Sequence, residues 1–463
     1  MSDAAATTLQ RRLANFRAAR SAAVAEAPAT LFCPARSRGA ELAERLAAAV
    51  DGEWLVNAAG NVVRVEATTI SLPLERKRLA TLPGQPPPDV PLLCLDTETT
   101  GLGTAAGTVA FLIGLGWWEG ERFRQLQLLC PDHADEPALL AALDAAVPPD
   151  CWLVTYNGKS FDWPLLVTRY RMSRRDAPPH EGHLDLLPQV RRLFRHRLGD
   201  ARLQTVEREM LGIHRHDDVG GWEIPERYLA FVRGGPAEPV AEIVTHNAED
   251  VRSLGRLLVH LDTHYADPDR RPLAPAGDLV GLARSFSRER RHTDALGCLE
   301  AAEAGWRAPA LGSTAWPFGS PMPSSETVSR EQIRSERART LRRLERYEEA
   351  GAAWLALTRR PGPDAVRAWI EIAKLREHRL SDPAGAAEAA RAAATMLERL
   401  RFLDAAQPRL EAAVAARLRR LAKRARAGGS ELVAGRTRPP LAAASRAAVA
   451  PDPAALGGPS RRV

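Results

Sequence analysis

The chain has 463 residues, a length that suggests about three domains. Its 64 Lys and Arg outnumber 57 Asp and Glu, but residues 417–462 hold eleven of those bases against Glu431 and Asp452. The remainder is close to neutral, which excludes a uniformly basic coat protein and makes any phosphate attraction local.

Five cysteines (Cys33, Cys94, Cys130, Cys151, Cys298) form no CxxC pair, which excludes a disulfide scaffold or zinc ribbon and suits a reducing compartment. The first residues lack an apolar signal core, and no run approaches the roughly 18 apolar residues of a membrane helix, so a cytoplasmic protein with no membrane partner is expected.

In chain order, residues 1–90 are expected to be an N-terminal extension with a small β element. GEWLVNAAGNVVRVEATTI (52–70) reads as a hairpin with its turn over 58–61, and LPGQPPPDVP (82–91) closes the region. No chemistry is assigned to it. LLCLDTET (92–99), AFLIGLGWWE (110–119) and RFRQLQLLC (122–130) then read as strands. DEPALLAALDAAV (135–147) reads as a helix, CWLVTYN (151–157) as a strand, SFDWPLLVTRYRM (160–172) as a helix and HLDLL (183–187) as a short strand. Mostly helix is expected from there to His264, making residues 91–265 an α/β layer domain with strand ends free to build a site.

Residues 275–425 are expected to be helical repeats. Ala283, Phe286, Ala295, Leu299 and Ala302 share a spacing with Ala338, Leu341, Ala350, Trp354 and Leu357. Trp369, Ala373 and 386–390 give a third unit, with an insertion at 381–383. The pattern resembles tetratricopeptide-type repeats, interrupted by a Pro/Gly/Ser stretch at 307–325. Residues 427–463, basic and poor in large apolar residues, are expected to be a disordered tail.

The chemistry concentrates in three elements. Asp96 and Glu98 end an apolar strand, and two-residue alternation puts both on one face while Thr97 points away. Two like charges side by side at a core edge call for a cation, and a divalent metal is the economical one. In TYNGKSFDWPLL (155–166), GKS mimics the end of a phosphate-binding loop. The glycine such a loop needs five residues before Gly158 is Leu153, so that reading fails. Asp162 remains, at a strand-to-helix junction. In THNAEDVRSLGRLLVHL (245–261), His246 and Asp250 share one face of a helix whose apolar stripe is Val251, Leu254, Leu257 and Leu258.

DTET, YNGKSFD and HNAED, in that order, resemble the DEDD superfamily of 3′→5′ exonucleases on an RNase H-like fold, and most closely the bacterial YprB-like RNase H-like family. The resemblance covers about residues 90–262. It implies an RNase H-like mixed sheet with flanking helices followed by the helical repeats. It also implies that Asp96, Glu98, Asp162 and Asp250 bind metal, that His246 is the candidate general base, and that Asn157 and Phe161 shape a strand-binding cleft. The histidine branch of that superfamily spaces its base five residues before the last Asp. The spacing here is four, that of the tyrosine branch. Two Mg²⁺ or Mn²⁺ ions would activate a water and stabilise the leaving 3′-oxygen.

GLGTAAG (101–107) follows DTET and leads into a strand, so it reads as a turn in which Thr99, Gly101 and Leu102 meet the terminal nucleotide. HEGHLD (180–185) and HRHDD (214–218) lack the spacing of a zinc site and read as polar loops, with Asp185 a candidate support for the carboxylates. The Arg-rich stretch 169–202 is a candidate phosphate track, and Trp163, Tyr170 and Trp222 are candidate base platforms. The expected activity is a metal-dependent 3′→5′ exonuclease on single-stranded DNA or RNA. The rival readings are an endonuclease, or a weakly active scaffold that binds a protein partner through its repeats.

Overall fold

The computed structural model describes residues 37–101, 107–215, 218–306, 328–403 and 407–428. Leu102, Cys33, the interruption at 307–325 and nearly all of the basic tail lie outside the described residues.

Helix α1 (Arg38–Ala49) opens on Ser37, whose hydroxyl accepts the Ala40 N–H. Strands β1 (Glu53–Asn57) and β2 (Gly60–Ser71) follow, paired Asn57 to Gly60 across the two-residue turn Ala58 and Ala59. This is the expected hairpin with a tighter turn. It is not a separate extension, however: β2 runs antiparallel to β5 (Arg122–Leu129), so the boundary expected at residue 91 falls inside one continuous sheet. The turn is also tied down, because both the backbone and side-chain N–H groups of Asn61 donate to Asp135 Oδ1 at 2.9 Å.

Between them lie β3 (Leu92–Thr99) and β4 (Ala110–Glu119), and after them α2 (Glu136–Ala146), β6 (Trp152–Thr155), α3 (Asp162–Met172), β7 (Gly182–Asp185), α4 (Leu186–Leu193), α5 (Ile224–Val232) and the long α6 (Glu238–Leu261). The seven strands order as β1-β2-β5-β4-β3-β6-β7, antiparallel except for β3 with β6 and β6 with β7. The short strand expected over HLDLL ends at Asp185, whose carboxylate caps α4 by accepting the Leu187 N–H at 3.1 Å.

Strand β4 is buried along most of its length because helices cover both faces of the sheet centre. Helix α6 lies across β3, β4 and β5, and glycine makes that approach possible. Asp96 pairs with Gly114 and Cys94 with Gly116. A Cβ on Gly114 would stand 2.2 Å from Asn247 Oδ1, and one on Gly116 would stand 2.7 Å from Val251 Cγ1. Neither glycine has an unusual φ to satisfy; what they supply is room.

Seven helices complete the described chain: α7 (Ala276–Arg288), α8 (His292–Gly305), α9 (Arg330–Arg343), α10 (Tyr347–Leu357), α11 (Pro363–His378), α12 (Pro383–Phe402) and α13 (Pro408–Gly428). The spaced residues of the first two units are all buried. Their turns are alike as well. The Arg291 N–H donates to Phe286 O and the Arg346 N–H to Leu341 O, both at 3.0 Å, across the left-handed residues Arg290 and Glu345. The third pair of helices also turns through a left-handed residue, Ser381, where the insertion was expected.

The helical region is joined to the sheet domain by a buried polar network. Asp278 in α7 accepts the Tyr265 hydroxyl at 2.7 Å and a guanidinium N–H of Arg197 at 3.2 Å, with His196 Nε2 at 3.2 Å. Asp278 is fully buried, and removing it leaves Arg197 charged and unmatched in the core. We predict that Asp278→Ala destabilises the protein by about 3–5 kcal/mol, readable as a lower urea midpoint; a shift within error would show the network to be dispensable.

Candidate active site

The site lies where β3 ends beside α6 and the N-terminus of α3. Among the described residues, one group of ligand-type atoms lies within 4.8 Å of one another: those of Glu98, His246 and Asp250. His246 Nε2 is 3.9 Å from Glu98 Oε1 and 3.7 Å from Asp250 Oδ2. The four-residue spacing therefore does bring imidazole and carboxylate to the same point beside β3.

Asp96 and Asp162 stand just outside that group but within its electrostatic field. Asp96 Oδ2 accepts a 2.9 Å hydrogen bond from Asn247 Nδ2, and Asn247 Oδ1 in turn accepts one from Gln127 Nε2 at 2.9 Å. Burial, then the charges of Asp250, Asp162 and Glu98, push the Asp96 carboxyl well above the usual range, with Asn247 opposing. Burial, then Asp250, Asp162 and Asp218, do the same to Glu98, with Arg215 opposing. Asp162 is raised by burial against a 2.5 Å hydrogen bond donated by Thr97. Thr97 thus does point away from Asp96 and Glu98, as alternation requires, and on that side it holds the third carboxylate.

Sequence reasoning missed the brace around this cluster. The segment HRHDD is a loop, as expected, with His214 exposed and His216 and Asp217 outside the described residues. Two of its residues nevertheless reach into the site. Asp218 Oδ1 lies 2.6 Å from His246 Nδ1, which leaves Nε2 facing Glu98 and Asp250. Arg215 contacts Asp250 directly, Asp218 at 3.2 Å and both oxygens of Glu207. Glu207 stands in a π-helical turn (Glu207–Leu211) that ends at left-handed Gly212, and this turn aims the loop back at α6. Asp218 lies below the usual carboxylate range: burial pushes it up, but His246, Arg215 and Gln204 outweigh burial. One signal was available for Asn247. It occupies an apolar position on the α6 stripe and faces a strand in which Gln125 and Gln127 alternate with leucines; buried amides in facing elements must satisfy one another.

The other expected site residues fall as follows. Thr99 turns its hydroxyl onto Gly101 O at 2.6 Å at the end of β3. Asn157 is left-handed at φ 68°, and its N–H donates to Asp185 Oδ1 at 2.8 Å while the Lys159 N–H reaches Asp185 Oδ2 at 3.3 Å. Asp185 therefore supports the loop that leads to Asp162. Phe161, beside Asp162, is 49% exposed and Trp222 is 74% exposed; both are free to stack. Tyr170 is not: it is fully buried and donates to Leu140 O. His180 packs against Trp163, and His183, pushed down to about 4 by burial, sits 2.8 Å from the Thr155 hydroxyl. Neither forms a metal site with its neighbours.

The donor set fits a hard divalent cation. It consists of carboxylate oxygens and one imidazole, and the described cysteines are buried elsewhere. Among the described residues Arg215 is the cation that opposes the rise at Glu98, and burial makes the remaining imbalance costly.

Strand order and site position both point one way. Residues 93–262 match the RNase H superfamily. The match runs from β3 through α6 and leaves β1 and β2 outside the RNase H-like part. Over 291 residues the chain is also 31% identical to the uncharacterized protein YprB of Bacillus subtilis (strain 168), covering 62% of this chain and 65% of YprB. The aligned part thus spans somewhat less than two thirds of that relative.

Because a Cβ at position 114 would displace Asn247, we predict that Gly114→Ala costs about 1–3 kcal/mol in urea unfolding and frees Asp96 from its amide. An unchanged midpoint would mean that α6 has slack over β4.

Proposed function

We propose that the protein is a metal-dependent nuclease that hydrolyses phosphodiester bonds, acting as a 3′→5′ exonuclease on single-stranded DNA or RNA. The observation that carries this reading is the meeting of carboxylates from β3, α3 and α6 at one strand end, with His246 beside them. Asp96, Glu98, Asp162 and Asp250 are the residues that would hold Mg²⁺ or Mn²⁺. When bound, a pair of such ions lowers the pKa of water and neutralises charge on the leaving oxygen. The 3′→5′ direction is taken from the order of the three motifs and their resemblance to DEDD exonucleases.

The chain's own residues supply the rest. Asp218 fixes the ring of His246 so that Nε2 faces the acid cluster, where it can accept a proton from the attacking water. Arg215 keeps Asp218 and Asp250 in register with each other. Asn247 holds Asp96 in place, and Thr97 holds Asp162. Exposed Phe161 offers a face on which a terminal base can stack.

The decisive experiment incubates the purified protein with single-stranded DNA and RNA labelled at either end, in Mg²⁺, Mn²⁺ or chelator. A ladder growing from the 3′ end, absent in chelator and in Asp96→Asn and Asp162→Asn, is expected. Internal cuts would favour an endonuclease. No cleavage with either ion would return the protein to the scaffold reading.

The Asp218 brace gives a second test. Asp218→Asn should lower kcat by about 10²-fold, within the range for a misdirected general base, while KM changes little. An equal rise in KM at constant kcat would make Asp218 a substrate contact instead.

A further inference from the structure

We infer that a nucleic-acid strand engaged at the active site is carried along α4 and into the groove between α7 and α9, so that the helical region forms part of the polynucleotide-binding surface. The inference rests on the nuclease reading for what lies at the site end of this path.

Ion pairing narrows the set of arginines available to a phosphate, and position narrows it further. Most guanidinium groups of the helical region meet a carboxylate: Arg284 meets Glu336, Arg334 meets Glu303, and Arg342 meets Glu371. Within the Arg-rich 169–202 stretch, Arg169 is buried against Glu136, Arg175 pairs with Asp144 and Arg197 is buried against Asp278. Among the described residues, exposed Arg191, Arg192, Arg195, Arg288 and Arg343 form no ion pair with a carboxylate; Arg171 and Arg174 share that freedom, and what sets Arg192, Arg288 and Arg343 apart is that they line two adjoining hollows. An exposed guanidinium without a carboxylate is free to take a phosphate.

These side chains lie along one route. Helix α4 starts at Asp185, which holds the backbone of Asn157 and Lys159 beside the site. At its other end α7 crosses closely: a Cβ on Gly281 would stand 2.6 Å from Arg192 O. There a hollow of about 80 Å³ has Arg192, Gln189, Leu261 and Arg288 on its walls. Arg288 also lines the next cavity, about 240 Å³, between α7 and α9, with Arg284, Ser287, Thr340 and Arg343 around a floor that includes Leu299. One arginine thus joins the two hollows. From Asp250 to Leu261, α6 covers about 16 Å, and Leu261 shares the first hollow with Arg288. A stacked strand at about 3.4 Å per nucleotide needs roughly five nucleotides to run from the carboxylates to that hollow.

An acidic peptide could also meet these guanidinium groups, but the line of charge leads out of the carboxylate site, and a strand being cut there is the ligand already held at that end.

The test measures fluorescence anisotropy of labelled trimer and 20-mer single strands in chelator, so that cleavage does not intervene. In Arg288→Gln/Arg343→Gln, affinity for the 20-mer should fall about tenfold and the log–log salt slope should become shallower by about 1.4, at roughly 0.7 per lost phosphate contact. The trimer, too short to reach the first hollow, should bind both proteins equally. Arg192→Gln/Arg195→Gln at the end of α4 should weaken the 20-mer similarly. Matching thermal midpoints check that the variants fold. Equal 20-mer affinity in all proteins, or an equal loss for both lengths, would overturn the inference. So would displacement of the 20-mer by a polyglutamate peptide of equal charge at the same concentration as by unlabelled strand. If the cleavage assay fails while the length-dependent loss is found, the nuclease reading falls and the binding path remains.

Discussion

Everything at the site depends on how closely α6 can lie on the sheet. The helix brings His246, Asn247 and Asp250 to the end of β3 only because residues 114 and 116 have no side chains to hold it off. Contact alone would leave the helix free to slide. The chain of amides from Gln127 through Asn247 to Asp96 fixes its register, and Gln127 also donates to Val244 O of the same helix at 2.8 Å. Shape gives the distance between helix and sheet, and hydrogen bonding gives the alignment.

The electrostatic design works against stability at the same place. Asp96, Glu98 and Asp162 are half-buried near one another and near Asp250, and their proton affinities rise accordingly. Arg215 is the main internal counterweight, held by Glu207 and Asp218 as well as by Asp250. So close a gathering of acids is costly, and the fold offsets that cost through the large apolar clusters of the sheet domain.

Much of this was written in local pattern. An apolar run ending in DTET gave β3 and its two acids, and the amphipathic period of 245–261 gave α6 with His246 and Asp250 on one face. The helix-pair spacing was legible because it repeats, down to the left-handed residue in each turn. What stayed hidden was long-range reach. Nothing in HRHDD says that its arginine and last aspartate reach 35 and 28 residues along the chain to α6, because a loop has no period from which direction can be read. Thr97 pointing away from the acids was legible, but that it would meet Asp162 was not. The pairing of β2 with β5 was equally invisible, since a strand's sequence does not name its neighbour.

The network at Asp278 has a mechanical meaning. Tyr265, one of its members, belongs to the π-helical segment (Asp262–Ala266) that continues α6 directly, and α6 is the helix bearing His246 and Asp250. Torque applied at α7 is therefore passed through the Tyr265–Asp278 hydrogen bond to the helix that carries the imidazole and carboxylate of the candidate site. A tether pulling on the far end of the molecule would be felt there as a change of aim.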